Sequence, residues 1–469
     1  MDVMKFSPGD PRVRAEEVDR PENYREMYLA DAIPPEPTLL ESTEVTLGTK
    51  PLDAKRYYTQ EFFDLENTKM WPRVWQYAAW AYDIEKPGDI AVYRNAGRSA
   101  LIVRQRDGSV KAFANSCLHR GRELCTEEVQ NQDLLRCPFH GFTWNLEGSL
   151  AWVPCKWDFP QVTPETHRLP EIRCEEWNGF IFINFDKDAK PLNTYLGKMV
   201  DQWASTPNWD FHKRFKAVHV NKKMNLNWKV AQEAFIESFH AFFSHPGTEL
   251  SGDSVSAQYD VWEDEPHFSR MISAMARPSA HLVERPSDQQ IVDEYLANFA
   301  PELIGTEEGK CQPGESVREA GARISRSVYQ QRTGVDMSAM PASYTLDTIE
   351  YFVFPNFFPW PSIGAPLVYR FLPGDSPEKC TFEVSLFIPF SGERPPSAKT
   401  IHVDEAGSLG DVPELGALGW ILQQDVDNLE SMQRGLRASI ANKITLSRYQ
   451  EVRIRHYHQT LDKYLSDSI

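Results

Sequence analysis

"NSCLHRG" at residues 115–121 is answered by "RCPFHGF" at 136–142, and this pair decides how the rest of the chain is read. Cys117 and His119 are separated by one residue, Cys137 and His140 by two, and seventeen residues lie between His119 and Cys137. Each loop therefore supplies one thiol and one imidazole. Gly121 and Gly141 let the backbone approach a bulky group, and Pro138 places a turn directly after Cys137. The seven cysteines (117, 125, 137, 155, 174, 311, 380) make an odd count. A reducing intracellular compartment would leave them unpaired, so cysteine here means metal or ordinary packing rather than a disulfide framework. Cys125 lies between the pairs, matches neither, and reads as a small buried hydrophobe.

Two Cys/His pairs have two chemical readings: a structural zinc site closed by Cys2His2, or a Rieske-type [2Fe-2S] centre in which two histidines replace two cysteines on one iron. Zinc fingers place Cys with Cys and His with His. Here each loop gives one of each, so one loop can serve a thiolate to one iron and an imidazole to the other. The spacing thus favours a cluster held by Cys117, His119, Cys137 and His140, whose neutral imidazoles would raise its reduction potential.

Moving outward, 469 residues exceed what one hydrophobic core usually serves, so two domains or a large composite one is expected. The formal charge of −17 argues against a general nucleic-acid or membrane-surface binder. No apolar run approaches the roughly 20 residues that span a bilayer, and "MDVMKFSPGDPRVRAEE" is too charged for a secretion signal, so a cytoplasmic protein is expected. Residues 1–75 read as a proline- and acid-rich arm, with little core of its own over 1–50, followed by a helix over 60–69 capped by Thr59 and anchored by Trp71 and Trp75. This segment is expected to pack on the catalytic domain. Over 76–186 the periodicity is mostly two, as in "DIAVYR", "ALIVRQ", "VKAFAN" and "GFIFINF", with turns at "RDGS" and "LEGS", which predicts a small antiparallel β domain. Residues 187–469 mix a helix over 227–243, a polar irregular section over 250–345, three strands and the helix "ELGALGWILQQDVDNLESMQRGLRA". The fold class is α+β: a small all-β cluster domain plus a larger α+β domain with an antiparallel sheet covered by helices.

"NLNWKVAQEAFIESFHAFFSHPG" (225–247) offers a second metal site. On a helix Glu237 and His240 share a face, with Glu233 one turn earlier. His245 is five beyond His240, wrong for a continuous helix, but Pro246 pushes residue 245 out of helical geometry and lets the chain turn back. A carboxylate is sought in the late helix, where Asp425 and Asp427 stand about 200° apart around the axis. Asp425 shares its face with Leu418, Ile421, Leu422, Leu429 and Met432, and Asp427 with Gln423, Gln424, Glu430, Ser431 and Arg434. An ionised carboxylate on an apolar face is costly without a cation, so Asp425 is the candidate ligand; the competing reading is a buried carboxylate satisfied by hydrogen bonds.

The Cys-x-His and Cys-x2-His loops, "NWK…E…E-x-F-H-x4-H" and the later "QQD" together resemble the Rieske non-haem iron aromatic-ring-hydroxylating oxygenases, specifically their large (α) subunit, over roughly residues 50–465. The resemblance implies a mononuclear Fe(II) on His240, His245 and Asp425, the facial triad of Fe(II) oxygenases. It implies that Glu237 bridges the cluster domain of one subunit to the iron of its neighbour, with His119 or His140 at the opposite end. Most ring-hydroxylating members have Asp there, and glutamate resembles the quaternary-ammonium branch.

By the same resemblance the chain is a terminal oxygenase component of aromatic hydrocarbon catabolism. It would be fed from NAD(P)H through a flavin reductase and/or ferredoxin, as a homotrimer with or without a β subunit; the phenylalanines beside the candidate ligands point to a hydrophobic substrate, aromatic or terpenoid/steroid-like. A monooxygenase or demethylase acting on a quaternary ammonium or ether is the second reading, and an iron–sulfur electron carrier without oxygenase activity is the third. Phe235, Phe239, Phe242 and Phe352 are the candidate substrate-pocket residues, and 250–345 a candidate lid. Arg120, Arg122 and Arg136 beside the cluster loops suit an acidic electron donor, or are solvated charges. His456 and His458, two apart on a helix, diverge and default to surface or packing.

Overall fold

The period-two stretches all form strands, as the alternation of inward and outward side chains requires. Six of them build an antiparallel sheet in the order Gln76–Trp80, Phe180–Asn184, Glu171–Trp177, Val110–Ala114, Arg98–Arg104, Ile90–Asn95. A second, three-stranded antiparallel sheet joins Leu134–Arg136, Thr143–Asn145 and Leu150–Trp152. A shared core of Leu101, Phe113, Leu135, Phe142, Trp144 and Leu169 also includes Cys117 and Cys137. This burial fixes both ligand loops at the rim of a packed interior.

The computed structural model describes residues 12–14 and 24–468. Two units emerge, one of Asp64–Leu196 with Lys463–Ile469 and one of Met1–Phe63 with Gly197–Asp462. Most of the stretch read against a secretion signal lies outside the described residues. The boundary between the units cuts the segment expected as a single helix over 60–69: an α-helix runs only over Gln60–Leu65, with the Thr59 hydroxyl accepting from the Phe62 N–H at 3.4 Å, and a π-turn follows over Glu66–Met70. Trp71 and Trp75 are buried beyond it, so the expected 1–75 arm is shared between the two units. Within 24–50, Tyr24, Tyr28 and Leu39 are buried and Asp31 pairs with Arg318 at 2.8 Å, so this stretch is tied to the larger unit with which it clusters. An average over acids and prolines conceals such single aromatic anchors.

In the larger unit an eight-stranded sheet runs in the order Gln258–Val261, Phe268–Ser273, Thr348–Val353, Phe357–Pro359, Leu367–Pro373, Cys380–Pro389, Arg214–Met224, Ile401–Val403. It is antiparallel except at its last pair, which is parallel. The section 250–345, expected to be irregular, holds two of these strands and the helices Asp288–Phe299 and Val317–Thr333. Its polarity misled: Ser287 and Gln290 form a capping box, Ser316 caps through the Glu319 N–H, and the helices bury one stripe containing Val292, Leu296, Ile324 and Val328. The helix expected over 227–243 is broken; it runs over Trp228–Glu233 and resumes for one turn at Ala241–Ser244. The late helices are Ala417–Ala438 and Val452–Leu465. Among the described residues no helix is long and apolar enough to cross a membrane.

Candidate functional site

The two Cys/His loops are the same backbone turn built twice. Gly121 N–H donates to Cys117 O at 2.8 Å and Gly141 N–H to Cys137 O at 3.0 Å, while each cysteine N–H donates five residues onward, to Arg122 O and Phe142 O, both at 2.8 Å. Both glycines have positive φ, 78° and 79°, which a side chain would strain. The turns bring His119 and His140 to a ring separation of 4.6 Å, and His119 stacks on Phe142 at 4.8 Å. Burial, followed by the hydrogen bond to Cys137, pushes the Cys117 thiol up. Burial and the neighbouring His140 hold His119 down, hence neutral. His119 Nδ1 is buried with no hydrogen-bond partner among the described residues. Two juxtaposed thiols and a neutral imidazole with an unsatisfied ring nitrogen fit an iron–sulfur cluster, which would pair that nitrogen and draw the thiols to thiolate. Arg120, Arg122 and Arg136 are exposed beside these loops, Arg120 lying over the Phe139 ring.

In the larger unit His240, His245 and Asp425 each turn one ligand atom into a single cluster, all within 4.8 Å of one another. The break after Glu233 makes this possible, since it frees the chain to place His240 ahead of the short Ala241–Ser244 turn and His245 just beyond it. His245 Nε2 lies 3.1 Å, and His240 Nε2 3.5 Å, from Asp425 Oδ1. The opposite nitrogens are fixed: His240 Nδ1 lies 2.5 Å from Glu237 Oε1, and His245 Nδ1 3.0 Å from Gln424 Oε1. Since both of those oxygens are acceptors, each Nδ1 carries a proton, which leaves each Nε2 as the atom that would face a metal beside Asp425. Burial acts to raise Asp425, but the charges and hydrogen bonds of His245 and His240 outweigh it and hold the carboxyl at about 2. Burial lowers His240, yet Glu237 and Asp425 together lift it well above an ordinary histidine. Asp425 is buried and Asp427 exposed, as the amphipathic pattern indicates. Two members of the predicted faces differ: Met432 is exposed, and Gln424, assigned to the solvated side, borders both faces and holds His245.

The triad forms part of the wall of a cavity of about 740 Å³. Among the four phenylalanines expected to line a pocket, only Phe235 does so. Phe239 is exposed, Phe242 packs with Leu282, and Phe352 packs between Phe358 and Tyr457. Broken-helix geometry turns Phe239 and Phe242 away from where a continuous helix would aim them, whereas Phe352 lies on the strand Thr348–Val353. Trp360, Tyr369, Leu418 and Ile421 complete an apolar wall missed by sequence reading. His458, expected to default to surface or packing, is buried with Nε2 2.9 Å from both Tyr57 Oη and Glu233 Oε1.

Residues 200–467 match the family described as "Ring hydroxylating alpha subunit (catalytic domain)", and residues 74–163 match "Rieske [2Fe-2S] domain". Chlorobenzene dioxygenase subunit alpha of Cupriavidus sp. (strain PS12) is 30% identical over 200 residues, 40% of this chain and 43% of that protein. The carnitine monooxygenase oxygenase subunit of Acinetobacter pittii (strain PHEA-2) is 27% identical over 191 residues, 41% of this chain and 51% of that protein. The chain thus spans about half the length of the relatives it matches. In fold it is similar to a quaternary ammonium Rieske monooxygenase in complex with L-carnitine, with a TM-score of 0.62, 17% identity, and coverage of 88% of this chain and 95% of that one. Naphthalene 1,2-dioxygenase with indole bound gives a TM-score of 0.63 at 18% identity, covering 90% and 93%. With the catalytic-domain match extending over more than half of its residues and the cluster-domain match preceding it, the chain belongs to the Rieske ring-hydroxylating oxygenase family as a large (α) subunit.

Proposed function

We propose that this chain is the terminal oxygenase component of a Rieske system, inserting dioxygen-derived oxygen into a hydrophobic aromatic or terpenoid/steroid-like substrate. The observation that carries the reading is the convergence of His240, His245 and Asp425 within 4.8 Å in the wall of a cavity large enough for such a molecule. Cys117, His119, Cys137 and His140 hold the [2Fe-2S] cluster, and the triad holds one Fe(II). When bound, the cluster supplies electrons singly and the iron offers open positions for dioxygen chemistry. Everything else is the work of the chain. Glu237 and Gln424 retain the Nδ1 protons and so orient both imidazoles, and Leu418, Ile421, Phe235 and Tyr369 keep bulk water from the reacting face.

Reducing equivalents come from NAD(P)H through a flavin reductase and/or ferredoxin, and Glu237 is the bridge to a neighbouring subunit's cluster in a homotrimer, with or without a β subunit, in the cytoplasm. A second reading, a monooxygenase acting on a quaternary ammonium or ether, is favoured by the glutamate at 237 and by the likeness to carnitine monooxygenase subunits. Iron and acid-labile sulfide analysis of anaerobically purified protein tests the core of the proposal. About three iron and two sulfide per chain with a Rieske EPR signal is expected. Two iron with two sulfide, not raised by added Fe(II), would leave an electron carrier. Product analysis separates hydroxylation from demethylation.

A further inference from the structure

The three ligands of the triad are held with unequal firmness by their own backbone. Asp425 rides inside the 22-residue helix Ala417–Ala438, whereas His240 and His245 flank the single turn Ala241–Ser244. One turn is far short of the length at which a helix sustains itself, so its place is set from outside. His245 itself, at φ −117° and ψ 78°, has left helical geometry. Pro246 follows, without an N–H to donate, and then Gly247 at φ 94°, a conformation a side chain would strain. The local backbone therefore gives His245 no fixed place relative to Asp425.

Two carboxylates supply what the backbone lacks. Glu249 Oε2 accepts from the Gly247 and Thr248 N–H groups at 2.7 and 3.0 Å, and the Thr248 hydroxyl donates to His245 O at 2.9 Å, so the loop is shaped from within. Glu294 anchors it from without. Placed on the helix Asp288–Phe299, its Oε1 accepts from the Leu250 N–H at 2.6 Å, the Ser251 N–H at 2.9 Å and the Ser251 hydroxyl at 3.3 Å. One turn further along this helix, Asn298 Nδ2 donates to Gly247 O at 3.0 Å. The helix is itself secured: the Tyr295 and Ser325 hydroxyls are bonded at 2.7 Å, and Val292 and Leu296 share a core with Ile324 and Val328.

Resting on the oxygenase reading above, we propose that Glu294 is a positioning residue for the iron ligand His245, tying the loop 247–251 to a secured helix and so holding the imidazole at the triad. Gln424 sets the rotation of that ring, and Glu294 sets where the ring stands. A carboxylate suits the task because all three donors converge on one oxygen, and a charged acceptor holds them about twice as strongly as a neutral one.

The test compares Fe(II) retention against a chelator, and the EPR signal that Fe(II) gives with nitric oxide, in the full iron-loaded chain and its variants. Glu294→Leu weakens retention about tenfold and alters the shape of the signal, with sulfide unchanged. Glu294→Gln keeps the acceptor oxygen, so it returns the wild-type signal and a retention within about threefold of wild type. Asn298→Ala, at an exposed position, removes the donor to Gly247 O and weakens retention about threefold. Gln289→Ala is the control: its contacts are to Asp293, Gly309 and Cys311 rather than to the loop, so it lowers the melting temperature without moving either readout. Wild-type retention and signal in Glu294→Leu overturn the inference; if that variant does not fold, unchanged readouts in Asn298→Ala overturn it instead. Iron loss in Gln289→Ala equal to that in Glu294→Leu also overturns it, since helix stability alone then accounts for the effect. A wild-type chain that takes up no iron beyond the cluster defeats the oxygenase reading and this inference with it, and iron analysis reports that before any variant is made.

Discussion

Glu350 and Arg453 form a buried ion pair that reaches the active-site segment, and Glu350→Leu is the sharpest test of how the larger unit is held. Both side chains are wholly buried, and the pairing is bidentate, at 3.0 and 2.8 Å. Arg453 spends its remaining donors on Ser269 Oγ at 2.9 Å and on Ile236 O at 3.1 Å, the carbonyl immediately before Glu237. Burial raises Glu350, and Arg453 offsets this only in part, so desolvation outweighs attraction. Removing the carboxylate alone strands a guanidinium in the core, a cost of about 3–5 kcal/mol. For a unit of this size that corresponds to a fall in Tm of roughly 6–10 °C, at about 2 °C per kcal/mol. Replacing both partners, Glu350→Leu with Arg453→Met, removes the stranded charge and returns stability to within about 2 kcal/mol of the wild type. The double variant still lacks the donor to Ile236, so it recovers its melting temperature without recovering wild-type Fe(II) affinity. Differential scanning calorimetry with iron titration reads both quantities. A single variant costing under about 1 kcal/mol refutes the buried-charge reasoning, and a double variant with wild-type iron affinity refutes the positioning role.

Three further outcomes follow from particular contacts. Asp425→Ala lowers iron to about two per chain with sulfide unchanged, whereas Cys137→Ser removes the sulfide and leaves about one iron, as metal analysis will show, because the two donor sets lie in separate units. Gln424→Leu removes the acceptor that fixes His245 and weakens Fe(II) retention against a competing chelator by about 10–100-fold; an unchanged affinity would show that the contact does not orient the ring. Burial, partly offset by Glu233, holds His458 below the usual 6.5, so the folded chain binds this proton less readily than the unfolded chain. Its contribution is complete above pH about 6.5 and is lost as the pH falls below it, at up to about 1.4 kcal/mol per pH unit. His458→Gln should therefore flatten the dependence of the urea midpoint between about pH 7 and 5.5, and an identical slope would refute the assignment.

The cluster loops were legible because everything that builds them is local. Ligand, glycine and turn fall within five residues, and the same backbone bonds recur at Cys117 and Cys137. Asp425 was legible for a different reason: a carboxylate on an apolar helical stripe is costly enough to demand an explanation. Gln424 was not, since a residue one step along the helix borders two faces and periodicity assigns it to only one. The helices Asp288–Phe299 and Val317–Thr333 announced themselves by Ser-x-x-Gln and Ser-x-x-Glu starts, but the polarity of 250–345 as a whole obscured them.

The broken helix between Glu233 and Ala241 shows where local reasoning stops. Continued at 100° per residue, it would set His240 and His245 about 140° apart and leave Glu233 and Glu237 on one stripe. Broken, it lets the two glutamates diverge: Glu233 meets Tyr57 and His458, while Glu237 turns to His240. The backbone groups released by the break are taken up from far along the chain, the Ser238 N–H by Tyr259 Oη at 3.0 Å and Ile236 O by Arg453 at 3.1 Å. Intrinsic propensity favours the continuous helix, since "WKVAQEAF" contains no breaker, so the interruption is imposed by tertiary partners. Here a strand tyrosine and a C-terminal arginine hold this segment in the conformation that brings both imidazoles to Asp425.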